Sequence, residues 1–246
     1  VPDTARTSNG RERWHVRRFA EIDSTNRYLL DEARQGAPEG LVVVADHQTA
    51  GRGRFDRRWE APPGSSLLVS VLLRPAAPGD GSHQAVMAVA LALSDAVDDV
   101  AGVTPELKWP NDLVVGHRKL AGLLAEREGD AVVIGAGCNV DWEAFPPELT
   151  ETATACNLEA GRRVDRDALL DRFLEHLAAA LDAFDGVPER YRARLATLGR
   201  RVRVERAHDS LEGEAVDVTR DGALVVRRDD GHDELITAGD VVHLRT

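Results

Sequence analysis

The chain has 246 residues, a length that suits one large domain or one domain with a small added module. Hydrophobic residues make up 43% and charged residues 30%, an ordinary balance for a soluble globular protein with a substantial core. The net charge of −11 argues against general attraction to nucleic acid, and no apolar run reaches the roughly 18 to 20 residues that span a bilayer.

Residues 1–13 are polar and lack the apolar stretch of a signal peptide, so they read as a disordered lead-in. A first strand is expected over 16–22. Asp23, Ser24, Thr25 and Asn26 then offer helix caps, and Tyr28, Leu29, Leu30 and Ala33 follow at helical spacing. Residues 41–45 read as a buried strand. Residues 47–65 hold little periodicity, many arginines and a Pro-Pro-Gly stop, which predicts a long functional loop. Residues 66–73 suit a strand, and 84–100 an apolar helix. Short strands are expected over 106–109, 113–115, 120–126 and 131–135, with the middle two paired as a hairpin around Gly116. Residues 165–184 form an amphipathic helix pattern, and 188–197 a further short helix.

Near Gly199 the texture changes to five short strand candidates with Asp221-Gly222 and Asp230-Gly231 turn signals. This predicts a small β-barrel over 199–246, after a main domain over 14–198. Cys138 and Cys156 lack metal-ligand spacing with histidine and read as reduced thiols of a cytoplasmic protein.

Several constellations carry chemistry. Gly51-Arg52-Gly53-Arg54, extended by Arg57, Arg58 and Trp59, combines bare backbone N–H groups, guanidinium forks for carboxylate or phosphate, and a flat ring. Taken alone, this run is as readily a solvated surface loop. Lys108-Trp109-Pro110-Asn111-Asp112 sets two polar groups at a strand end. Asn111 suits a phosphate or a metal-bound water there and Asp112 a proton or a Mg²⁺ ion, or the two simply cap a turn. Of the 31 Lys and Arg residues only Lys108 and Lys119 are lysines, and the second lies in Arg118-Lys119-Leu120-Ala121-Gly122. Gly135-Ala136-Gly137-Cys138-Asn139 permits close approach of backbone or ligand. Ser24-Thr25-Asn26 and Gln48 complete the set. No Cys, His, Asp or Glu cluster marks a metal site in the sequence.

These motifs, in this order, resemble the biotin protein ligase family. The resemblance runs through residues 16–140 and continues into the C-terminal segment. It implies an α/β (α+β) catalytic domain like that of class II aminoacyl-tRNA synthetases, with a small C-terminal SH3-like β-barrel. It further implies biotin, ATP and Mg²⁺ as ligands and a biotin carboxyl carrier protein domain of a carboxylase as partner. DNA and membrane are not expected as partners, and the chain would act as a monomer or weak homodimer. Ser24, Thr25, Asn26 and Gln48 would meet the ring end of biotin, with Gly122 beside them. Arg52, Gly53 and Arg54 would cover the carboxylate and α-phosphate, with Lys119 against both. Arg57, Lys108, Asn111 and Asn139 would meet the nucleotide, and Trp59 would pack on adenine. Lys119, Arg54 and Asp112 are the expected catalytic groups.

Two positions depart from the family pattern. Asp56 stands where a glycine would tolerate positive φ, which predicts a turn of different shape and adds a negative charge near the phosphates. Cys138 replaces an aliphatic residue. A lipoate or octanoate ligase is the nearest competing reading. A biotin-responsive repressor would need a DNA-binding segment longer than the one that precedes residue 14 here. A noncatalytic binding protein is the third.

Overall fold

The computed structural model describes residues 13–75, 80–206 and 209–244. The expected lead-in therefore lies outside the described residues except for Arg13, which is tied down by Glu39 at 3.2 Å and Asp182 at 2.9 Å.

The first sheet is built from β1 (His15–Ile22), β2 (Leu41–Gln48), β3 (Ser66–Leu73), β4 (Glu106–Lys108), β5 (Asp112–Val115), β6 (Arg118–Glu128) and β7 (Ala131–Asn139). Its order is β1-β2-β3-β7-β6-β5-β4. Helix α1 (Thr25–Arg34) crosses between β1 and β2, which run parallel; every other neighbouring pair is antiparallel. A parallel pair requires such a crossover.

Alternation along β3 and β7 sorts the two faces. Leu67, Val69, Val71 and Leu73 pack with Val132, Ile134, Ala136 and Cys138 under α2 (Asp80–Ala101) and α4 (Arg166–Asp182). Leu72, Ala131 and Val133 turn to the opposite face, under Leu29, Leu30 and Ala33 of α1. The central strands are buried on both sides, which explains why β3 is apolar at six of its eight positions, on both faces. Further along that α1 face, β7 carries Gly135 and Gly137 where a filled core would carry side chains. Two short helices, α3 (Cys156–Ala160) and α5 (Val187–Ala193), complete the domain.

Several expectations shift. Strand β7 continues through Gly135 to Asn139, because β3 and β6 pair with it along that length. The last helix ends at Ala193. The long arginine loop is paired with itself: Gly51 O accepts from Trp59 N at 3.1 Å, Arg52 bridges Arg58, and Gly53 N donates to Arg57 O at 2.7 Å. Its tip, Arg54-Phe55-Asp56-Arg57, closes with Arg57 N donating to Arg54 O at 3.2 Å. Phe55 (φ 54°) and Asp56 (φ 57°) both take the left-handed region, the φ pair of a type I′ hairpin turn. Asp56 therefore adopts the conformation for which glycine was expected; a short polar side chain tolerates it.

Strands β8 (Arg201–Glu205), β9 (Ser210–Val218), β10 (Leu224–Arg227), β11 (Asp233–Ile236) and β12 (Asp240–His243) form the second sheet, in the order β11-β10-β9-β8-β12. It is antiparallel, as an SH3-like module requires, but among the described residues no ladder joins β11 to β12, so the expected barrel is not closed. Both glycine turn signals hold, with Gly222 and Gly231 at φ 82° and 85°. The module is anchored to the first domain by the Trp109 indole N–H, which donates to Gly222 O at 2.8 Å.

Candidate active site

A cavity of about 340 Å³ opens over the glycine face of β6 and β7. In the ladder Gly122 stands opposite Gly137 and Leu124 opposite Gly135, so three glycines pave one floor. A methyl group on Gly137 would lie 2.5 Å from the Trp59 ring, and one on Gly122 would lie 2.9 Å from Lys119 Nζ. The absence of side chains there is what lets the indole and the ammonium settle side by side, with Nζ 5.7 Å from the ring centroid. The Trp59 N–H is buried and has no acceptor among the described residues.

One end of the cavity is built from α1. Ser24 caps that helix, accepting from Arg27 N at 3.5 Å. Gln48 Oε1 accepts from Thr25 N at 2.7 Å and from its hydroxyl at 3.0 Å, which turns the amide NH₂ of Gln48 toward Gly51. Ser70 reaches from β3 to within 2.7 Å of Thr25 Oγ1 and 2.6 Å of Asn26 Oδ1. These buried polar groups are satisfied among themselves, as a preformed binding wall must be.

The other end is cationic. Arg52, Arg54, Arg57, Arg58, Lys108 and Lys119 line the cavity against three carboxylates, Asp112, Glu205 and Asp240. That is a local excess of positive charge in a chain whose net charge is −11. Lys119 Nζ stands 2.6 Å from Asp112 Oδ1. Burial lowers the pKa of Lys108; Asp112 opposes the shift and Lys119 adds to it. Burial also lowers that of Arg54, again with Asp112 opposing. Arg54 donates to Asn111 Oδ1 at 3.3 Å and to Gly239 O at 3.2 Å. Asp240 of β12 pairs with Arg57 and sits 3.7 Å from Arg54. The C-terminal module thus closes one side of the site.

The structure brings together Ser24, Thr25, Asn26, Gln48, Arg52, Gly53, Arg54, Arg57, Trp59, Lys108, Asn111, Asp112, Lys119 and Gly122. Asn139 is not with them. It is buried, accepts from Ser66 at 3.4 Å and donates to Thr154 O at 3.0 Å, contacts that tie its amide to β3 and to residue 154. Trp59 lies over the glycine floor beside Lys119, half-buried and lining the cavity. Asn111 and Asp112 are held by protein partners. Asn111 donates to Leu123 O at 2.6 Å and accepts from Arg54, while Asp112 is neutralised by Lys119. Among the described residues no three His, Cys, Asp or Glu side chains converge. Cys138 and Cys156 are buried free thiols, and their mutual contact together with burial raises the Cys138 pKa. Sequence reasoning missed Ser70, Glu205 and Asp240, which reach the site from distant strands.

Residues 19–141 match the family described as biotin/lipoate A/B protein ligase, and residues 197–244 match the biotin protein ligase C-terminal domain. A biotin–[acetyl-CoA-carboxylase] ligase of Mycobacterium tuberculosis is 38% identical over 237 residues, covering 92% of this chain and 88% of that protein. The chain belongs to the biotin protein ligase family. As a member it is a ligase. A ligase of the same description from Paracoccus denitrificans is 34% identical over 91% of this chain and 98% of its own length. The structure of the Aquifex aeolicus biotin protein ligase in complex with biotin and ATP superposes with a TM-score of 0.82 at 26% identity, covering 94% of this chain and 99% of that one.

Proposed function

We propose that this chain joins biotin to ATP, giving biotinyl-5′-AMP and pyrophosphate, and then passes the biotinyl group to a lysine of a biotin carboxyl carrier protein domain. One observation carries the reading: both lysines of the chain and the four arginines of the Gly-Arg hairpin converge on a single cavity with a glycine floor.

The chemistry follows from charge. A carboxylate oxygen of biotin must approach the α-phosphorus of ATP, and pyrophosphate must leave. Two like charges about 4 Å apart repel by about 4 kcal/mol at an effective dielectric near 20. Arg52, Arg54 and Lys119 offset that repulsion and stabilise the charge of the transition state. Asp112 holds Lys119 in place. The uncharged end, with Thr25, Gln48 and the Trp59 wall, suits the ring of biotin. Mg²⁺ would be held mainly by the ATP phosphates, with Asn111 and Asp112 as the nearest protein oxygens, and would neutralise part of the phosphate charge. In the second step the carrier lysine, as a free amine, attacks the acyl carbon; the C–O bond to phosphate breaks and AMP leaves.

The relatives named for acetyl-CoA carboxylase support a carboxylase as the source of the carrier. Free buried thiols suit a reducing compartment such as the cytoplasm, and among the described residues no helix is long and apolar enough to cross a membrane. Biotin-dependent exchange between ATP and labelled pyrophosphate tests the first step, with lipoate and octanoate as competitors. Exchange driven by biotin alone supports the reading. Exchange driven only by lipoate or octanoate would transfer the assignment to those acids.

A further inference from the structure

Glu126 lies behind the cavity on β6, on the same strand face as Gly122 and Leu124. Its Oε2 accepts from Arg52 Nη2 at 2.8 Å and from Asn26 Nδ2 at 2.8 Å. The carboxylate is largely shielded, with 24% side-chain exposure against 35% for Arg52. Asn26 is fixed independently: it donates to Leu124 O at 3.1 Å and its oxygen accepts from Ser70. Arg52 Nε, by contrast, is buried with no acceptor among the described residues.

We propose that Glu126 is the positioning residue for Arg52, bolting the Gly-Arg hairpin to the α1 wall and leaving the Nε edge of the guanidinium free for substrate. The inference rests on the ligase reading above. An arginine on a surface hairpin samples many rotamers, and ordering one costs free energy when the ligand arrives. Glu126 takes up one terminal N–H before binding. A buried N–H without an acceptor is costly, so the Nε edge favours whatever anion supplies one. The carboxylate of biotin, and after the first step the acyl phosphate, are the acceptors the ligase reaction brings. Because one oxygen holds both partners, the anion-binding hairpin and the wall that carries Thr25 shift as a unit.

The test uses Glu126→Gln, Arg52→Gln and the double variant in the full chain. Glutamine keeps the shape and an acceptor for Asn26 but removes the charge. The KM for biotin in pyrophosphate exchange is expected to rise about tenfold, as fits loss of a charge-assisted hydrogen bond. The half-life of bound biotinyl-AMP should shorten by a similar factor, with the KM for carrier unchanged. In the Arg52→Gln background, Glu126→Gln should add less than twofold, since its partner is already gone. Glu126→Asp, whose carboxylate is drawn back by one methylene, gives a second reading of the same shift if the glutamine variant does not fold. An unchanged KM for biotin, or losses that multiply in the double variant, would overturn the proposal and leave the ligase reading intact. A rise in the KM for carrier equal to that for biotin would mark general loosening and would also overturn it. Absence of exchange in the unsubstituted protein would overturn both.

Discussion

Replacing Lys119 by glutamine removes the ammonium that stands 2.6 Å from Asp112 and over the glycine floor. Two effects follow. One attraction to the reacting anions is lost, worth about 4 kcal/mol for a charge pair about 4 Å apart at an effective dielectric near 20. Asp112 also loses its partner and faces the incoming phosphates as an uncompensated negative charge. The four cavity arginines and Lys108 remain and recover part of the loss. The net expectation is a fall of about 10² to 10³-fold in the rate of adenylate formation, the usual effect of deleting one transition-state donor. Single-turnover formation of biotinyl-AMP measures it, with transfer from preformed adenylate as the control step, expected to fall far less. Asp112→Asn on top of Lys119→Gln should recover about tenfold, because it removes the stranded charge. Adenylate formation within twofold of the unsubstituted protein would refute the role of Lys119. Failure of Asp112→Asn to recover any rate would refute the electrostatic explanation.

Three further perturbations probe other parts of the site. Gly137→Ala places a methyl 2.5 Å from the Trp59 ring, which must move about 1 Å to clear it; the KM for biotin should rise more than that for ATP, and equal rises would count against the glycine floor as the biotin end. Asp240→Asn releases Arg57 and weakens the hold on Arg54, so bound biotinyl-AMP should escape about fivefold faster, the effect of a partly exposed ion pair worth about 1 kcal/mol; a stopped-flow chase that shows no change removes the C-terminal module from the clamp. His243 has its pKa pushed down from 6.5 to about 4, chiefly by burial, with Lys108 and Arg200 adding to it. The unfolded chain then binds a proton near pH 6.5 that the folded one refuses until about pH 4, so stability is full above 6.5 and falls across that window as pH drops. Allowing for its partial exposure, the loss is about 1 to 2 kcal/mol, and His243→Gln should flatten this part of the melting profile.

Much of the site was legible because its chemistry sits in short local runs. A chain that uses arginine almost everywhere kept two lysines, and both line the cavity. The Gly-Arg run and the Asn111-Asp112 pair were readable from residue type and spacing. The pairing inside the Gly-Arg hairpin was not, because its tip places Phe55 and Asp56 where glycine or asparagine would signal the turn. Glycines 135 and 137 look like a strand end; they are strand interior, with side chains omitted on one face to admit Trp59. Asn139 carries a motif match but lies outside the cavity lining, with its amide bonded to Ser66 and Thr154. Glu126, Ser70 and Asp240 carry no local signal at all. Each lies on a different strand, and only β-sheet register and the seating of the C-terminal module bring Glu126 and Asp240 to the arginines and Ser70 to Asn26.

The central claim is that the cavity makes an acyl-adenylate and hands its acyl group to a protein lysine. The most direct measurement is the intact mass of a biotin carboxyl carrier domain after incubation with the full chain, biotin and MgATP. The account predicts a gain of one biotinyl group, lost when the acceptor lysine is replaced by arginine and when Lys119 is replaced by glutamine. No gain of mass on the carrier, while the same sample consumes no ATP in response to biotin, would contradict it.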